Sequence, residues 1–308
     1  MEGYGAPRPL RRISTGRPVP GASDPPHSLR PVAAVLALLS SLLWGGADFV
    51  GGTVSRRRAA VVVVGASQLV GLIAALVVAV AAGATDAPLD YLPWAIGAGL
   101  AGLVGLVAYY SALATGTMGI VAPIAALGVV VPVLVGLGRG ERPATVQMVG
   151  IALGILGIVL ASGPELSGRA TPRPLLLAGV AAVGFGLALL FIAEGSSTST
   201  LMTLVAMRVV SVAVTAAAVA VRGRSEARGL TPRDLSVISL VGLADVGANL
   251  TFGLASTRAD WSIVSVLGSL YPVATVLLAR FVQAERLTKV QVVGVTVAML
   301  GVLCIASR

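Results

Sequence analysis

The sequence predicts an all-α integral membrane protein of ten transmembrane helices, arranged as two inverted five-helix repeats. Three observations carry that reading. Charge is scarce, apolar residues come in runs long enough to cross a bilayer, and the two halves of the chain resemble each other in register.

The chain of 308 residues is 56% hydrophobic and only 11% charged. A soluble domain carries about 25% charge to cover its water-facing surface. The apolar residues come in runs of roughly 20, the length that spans a ~30 Å hydrocarbon core at ~1.5 Å per residue. The net charge of +9 comes from scattered arginines, most of them in the N-terminal tail and in short connections. Membrane loops use arginine in this way, and aromatics are too few for a base-stacking surface, so nucleic-acid binding is set aside. The single histidine, His27, and the single cysteine, Cys304, leave no His/Cys metal site and no intrachain disulfide.

Residues 1–30 are rich in Pro, Gly, Ser and Arg and lack a long apolar run. They read as a disordered basic tail rather than a signal peptide. Ten apolar segments follow, at approximately 32–54, 59–83, 92–115, 118–138, 143–162, 174–194, 198–221, 235–255, 261–283 and 288–306. Within lipid each segment must satisfy its own backbone, which demands helices. A β-barrel would need shorter alternating segments.

The internal repeat pairs 120–162 with 263–306. Ile120-Val121 matches Ile263-Val264, and Leu127 matches Leu270 at the same offset. After a one-residue gap Glu141-Arg142 matches Glu285-Arg286, Gln147 matches Gln291, Val149-Gly150 matches Val293-Gly294, and Gly157 matches Gly301. Two halves of five helices each must insert in opposite orientations. The halves are placed at 31–162 and 174–308. The pattern Glu-Arg, a Thr-containing turn, Gln-x-x-Gly and a Gly-rich apolar run therefore occurs twice. With Trp44 in the first helix, it resembles the EamA-type drug/metabolite transporter superfamily over residues 32–306. The resemblance implies a secondary transporter that moves small metabolites through a central cavity without ATP, with both termini cytoplasmic. The charge bias does not choose an orientation, because Arg56, Arg57 and Arg58 and the basic connection from Arg222 to Arg233 oppose the tail.

A charge at the bilayer centre costs about 2.5–3.5 kcal/mol even on insertion scales. Buried charges in these segments should therefore face a cavity or one another. Arg208 is the only basic residue well inside a segment, about ten residues or roughly 15 Å deep. Asp245 lies at a similar depth in the next, antiparallel helix. An Arg208–Asp245 pair near the midplane follows, with either a structural or a substrate-binding role. Asn249 shares a face with Asp245, and Gln68 corresponds to Arg208 in the repeat, which makes it a further polar partner. The equivalent third helix offers Tyr109 and Tyr110 instead, as cavity residues or as interfacial anchors. Trp44 and Asp48 share a face of the first helix, where Asp48 either lines the cavity or pairs with Arg56, Arg57 and Arg58. Tyr271 is a further candidate cavity residue, and Tyr271-Pro272 marks a kink in the ninth helix, as Pro123 and Pro132 do in the fourth, which serves either as a hinge or gate or only as a feature of shape. Glu194 reads as interfacial. Glu141 and Glu285 read as helix N-terminal charges, with Thr288 and Gln291 at capping-box spacing. Gly150-x-x-x-Gly154 and Gly294-x-x-x-Ala298 read as packing stripes.

The functional expectation is an exporter of an amino-acid-like or drug-like metabolite at the cytoplasmic membrane, needing no cofactor, with any coupling drawn from a proton or other ion gradient. No Walker-type motif is present and Lys289 is the only lysine, which excludes ATP hydrolysis by a P-loop. Two alternatives stand beside it. A membrane-embedded lipid-modifying enzyme would need clustered carboxylates or a metal, and the nearest acidic cluster, Asp86 and Asp90, flanks Pro88 in a loop. A channel would need a polar filter.

Overall fold

A computed structural model describes residues 29–115, 118–161, 172–222, 230–274 and 288–306. The described residues are helical, joined by short connections. The helices are α1 (Leu29–Ser55), α2 (Ala60–Ala81), α3 (Leu92–Thr115), α4 (Met118–Ala126), α5 (Val130–Gly138), α6 (Thr145–Ala161), α7 (Pro172–Arg222), α8 (Pro232–Ser256), α9 (Trp261–Gly268) and α10 (Lys289–Ala306). The expected basic tail, the end of the ninth segment, and Glu285-Arg286 lie outside the described residues.

Five helices among the described residues are long and apolar enough to cross a membrane: those beginning at Pro31, Ala60, Leu89, Arg173 and Pro232. One of them, α7, is broken at Ser199, where the backbone turns extended (φ −159°, ψ 109°). The Gly195-to-Thr200 stretch supplies the break, since its Gly, Ser and Thr residues disfavour a helix interior. The first arm of α7 therefore ends beside Glu194, and the second carries Arg208.

The segment expected at 118–138 is not one regular helix. A 3₁₀ turn, Leu127–Val129, separates α4 from α5. Pro132 has no N–H for the Gly128 carbonyl, so the helix tightens ahead of it. The ninth segment breaks likewise. α9 stops at Gly268, and the helix resumes from Tyr271, ahead of Pro272. At Gly128 any side chain would overlap the Ala182 carbonyl, so α4 and α5 pack backbone-to-backbone on the first arm of α7.

Helices of one half pack on those of the other. α1 lies along α8, α3 along α7, α2 along both α7 and α8, and α6 along α10. The last pair meets through its small residues. A methyl on Gly157 would come within 2.5 Å of the Ala298 nitrogen, and one on Gly301 within 2.7 Å of the Gly154 nitrogen. Such stripes let helices approach closely where lipid offers no hydrophobic driving force for association.

Ion pairs tie the ends of the bundle together. Arg58 reaches Asp234 at 2.7 Å, and Thr231 with Asp234 forms a capping box that starts α8. The expected alternative in which Asp48 pairs with Arg56, Arg57 and Arg58 is not what forms, because Asp48 points into the bundle and Arg58 finds Asp234 across the connection. At the other end Arg139 pairs with Glu194 and sits 4.9 Å over the Trp261 ring. Glu141 does not serve the start of the helix that follows it. Its carboxylate accepts from the backbone N–H groups of Trp261 (2.8 Å) and Ser262 (3.1 Å), the first turn of α9. The next helix, α6, is instead capped by Gln147, whose Oε1 accepts from the Ala144 N–H at 2.9 Å.

Candidate functional site

Four helices bring polar side chains to one point in the bundle. Asp245 of α8 is the centre. Its Oδ1 accepts from Trp44 Nε1 of α1 at 3.1 Å and from Asn249 Nδ2, one turn along α8, at 3.0 Å. Its Oδ2 accepts from Arg208 Nη1 of α7 at 2.7 Å and from Gln68 Nε2 of α2 at 3.3 Å. Arg208 Nη1 also donates to Gln68 Oε1, which closes the ring. Asn249 spends its other amide N–H on the Asp245 carbonyl at 2.7 Å.

The helical sequence explains this convergence. Asp245 and Asn249 are a turn apart and share a face. Arg208 sits in an otherwise apolar arm, and its guanidinium is buried (2% exposed), so its charge must be met inside the bundle. Asp245 remains 15% exposed, toward a cavity. Arg208 Nε and Nη2 are buried and have no hydrogen-bond partner among the described residues, so part of its donor capacity is unused.

A cavity with about 90 Å³ of free space reaches this cluster. Trp44, Asp48, Gln68, Arg208, Asp245 and Asn249 line its polar side. Tyr110 and Tyr271 line it as well. Its other walls are mainly apolar, with Leu103 and Leu106 of α3 and Phe185, Leu189 and Ile192 of α7, interrupted by Ser67, Ser211 and Ser269.

Most of the residues singled out from sequence thus come together, with one exception. Tyr109 is buried but does not line the cavity. It packs edge-on against Phe185 with ring centroids 5.5 Å apart, while its neighbour Tyr110 faces the cavity. Consecutive helical residues point about 100° apart, so only one of the pair can serve that face. Neither tyrosine is an interfacial anchor, since both are 1% exposed. Tyr110 fits against α1 because any side chain at Gly51 would overlap its hydroxyl. Phe185 and Leu103, which help to form the apolar wall, carry no signal in sequence because they are apolar residues in apolar helices. Trp44 packs on Phe252 with ring centroids 5.7 Å apart, which holds its indole N–H toward Asp245.

Comparison with known proteins accords with this architecture. The EamA-like transporter family matches residues 31–163 and again residues 173–307. No curated protein matches the chain. A solved crystal structure, described only as that of a protein, aligns over 89% of this chain and 96% of its own with a TM-score of 0.73. At 20% identity that likeness shows a shared fold. Long apolar helices, halves that pack on each other around a cavity, and a family match that covers both halves lead to one conclusion: this chain is a multi-pass membrane protein of the EamA-like transporter family.

Proposed function

We propose that the protein is a secondary active transporter that exports a small amphiphilic metabolite, amino-acid-like or drug-like, across the cytoplasmic membrane through this cavity. The observation that carries the proposal is the Arg208–Asp245 cluster. It places a buried guanidinium, paired with Asp245, at the edge of a cavity whose walls are mainly apolar. A substrate with one polar end and one apolar end matches that division. The polar end meets Arg208, Gln68 and Asn249, and the apolar end lies on Leu103, Phe185 and Ile192.

The cluster is also suited to movement. It draws on α1, α2, α7 and α8, which belong to both halves of the chain, so a rocking of one half against the other would open and close the cavity around it. The reciprocal packing of α1 on α8, α3 on α7 and α6 on α10 supports two inverted repeats at 31–162 and 174–308. The break at Ser199 turns α7 into two passages, which supports ten crossings and hence both termini on one side. That side is proposed to be the cytoplasm. A proton is the proposed coupling ion.

A thermal-shift screen of the purified full-length protein against metabolite fractions, followed by counterflow in proteoliposomes, tests the reading. Stabilisation by an amphiphile that Arg208→Ala abolishes, together with counterflow of that compound, is the expected result. Metal-dependent turnover of a lipid, or single-channel conductance, would replace transport by an enzyme or a channel.

A further inference from the structure

The cavity holds a second carboxylate whose surroundings are the opposite of those of Asp245. Asp48 of α1 is 7% exposed and lines the cavity. No hydrogen bond or ion pair reaches its carboxylate among the described residues. The titratable groups that act on it or feel it are Asp245 from α8, Tyr109 and Tyr110 from α3, and Tyr271 beyond α9. None of them is a cation, and Arg208 is held by Asp245.

Counting full charges among the described residues, Asp48 and Asp245 contribute two negatives against the one positive of Arg208. Among these residues the cavity is one cation short. At this depth a carboxylate without compensation is strongly disfavoured, because neither water nor a counter-charge replaces its lost hydration. One bound cation restores neutrality, and a second has no partner.

The chemistry around Asp48 selects the kind of cation. Aromatic side chains share the cavity wall with Asp48: Trp44, one turn earlier on α1, Tyr110 and Tyr271. Aromatic faces attract ammonium groups, and Trp is the best of them. An inorganic ion would need a shell of oxygen ligands instead. No cluster of three metal-ligating side chains occurs among the described residues.

We propose that Asp48 is a cation pole of the cavity that binds the ammonium group of an organic amine and exchanges it for a proton. This rests on the reading of the cavity as the transport site. When the ammonium ion pairs with the carboxylate, the proton held there in its absence leaves to bulk water. When the amine departs, a proton returns. The two cations thus alternate on one group.

The test uses the full-length protein in nanodiscs and phenethylamine as the probe. Binding is followed by calorimetry, and proton release by a pH dye in weak buffer. The expected result is about one proton released per phenethylamine bound. Asp48→Asn should lose the release and weaken binding at least tenfold, whereas Asp48→Glu should keep both. Thermal unfolding checks that each variant is folded. Equal affinity in wild type and Asp48→Asn overturns the proposal, as does binding without proton release in the wild type. Sodium chloride that releases the proton as effectively as phenethylamine would make this an inorganic-cation site and also overturn it. Liposome experiments separate this inference from the one beneath it. Binding with proton release but no pH-driven uptake of phenethylamine leaves the site standing and removes the transporter. Metabolite counterflow by a protein that ignores phenethylamine removes the Asp48 site and leaves the transporter.

Discussion

Arg208 holds Asp245 through a single nitrogen: Nη1 lies 2.7 Å from Oδ2, while Nε and Nη2 have no hydrogen-bond partner among the described residues. The pair therefore joins a charge-neutralising contact to spare donor capacity. Arg208→Ala strands Asp245 with three neutral donors and no counter-charge. Breaking a buried pair from one side costs roughly 3–5 kcal/mol. The remaining donors place this loss toward the lower end. Arg208→Ala combined with Asp245→Ala should recover much of the stability, since neither charge is then orphaned, yet should not transport. Thermal unfolding of the four proteins of the cycle reads the coupling, and strictly additive losses would show that the residues are not partners.

Trp44→Phe separates packing from hydrogen bonding. Phe keeps a ring against Phe252 but removes the N–H that Asp245 accepts at 3.1 Å. Hydrogen bonds to charged groups contribute about 1.5–3 kcal/mol. Asn249 still serves the same oxygen, so a loss near the low end is expected in thermal unfolding. Substrate affinity should fall more than the folded yield. Unchanged affinity would place Trp44 outside the transport site.

Glu141 caps a helix of the other half of the chain, so its removal should loosen the contact between halves rather than unfold its own turn. Glu141→Gln keeps one acceptor oxygen but loses the favourable charge at the α9 N-terminus, a loss of about 0.3–1 kcal/mol. Glu141→Ala leaves the Trp261 and Ser262 N–H groups without that partner and should cost about 1–3 kcal/mol. Hydrogen exchange should show the difference at the start of α9. Equal protection in both variants would contradict the capping role.

The α6–α10 contact should tolerate no added volume at Gly157. An alanine there comes within 2.5 Å of Ala298 backbone, so Gly157→Ala should destabilise by about 1–3 kcal/mol, the usual cost of overpacking. Gly138 has nothing within 4 Å of an added methyl, and Gly138→Ala should stay within about ±0.5 kcal/mol. Parallel melting curves of the two variants give the comparison. A neutral Gly157→Ala would show that these helices do not pack as closely as described.

By itself the sequence determined where the apolar helices lie, because lipid forces each apolar run to satisfy its own backbone. α3 falls on the expected 92–115 span and α2 within two residues of its expected ends. The sequence also singled out Arg208 and Asp245, because a charge in an apolar run is costly unless it is met. Tertiary structure alone decided which groups meet them. Trp44 and Gln68 reach Asp245 from 201 and 177 residues away, distances at which no local pattern acts. It also decided the rotation of each helix about its axis, which turns Tyr110 toward the cavity and Tyr109 against Phe185. A uniformly apolar helix has no strong polar face to announce that rotation. The charged ends were decided in the same way. Asp234 takes Arg58, and α9 takes Glu141, because the folding of the two halves against each other brings those partners closer than any neighbour in sequence.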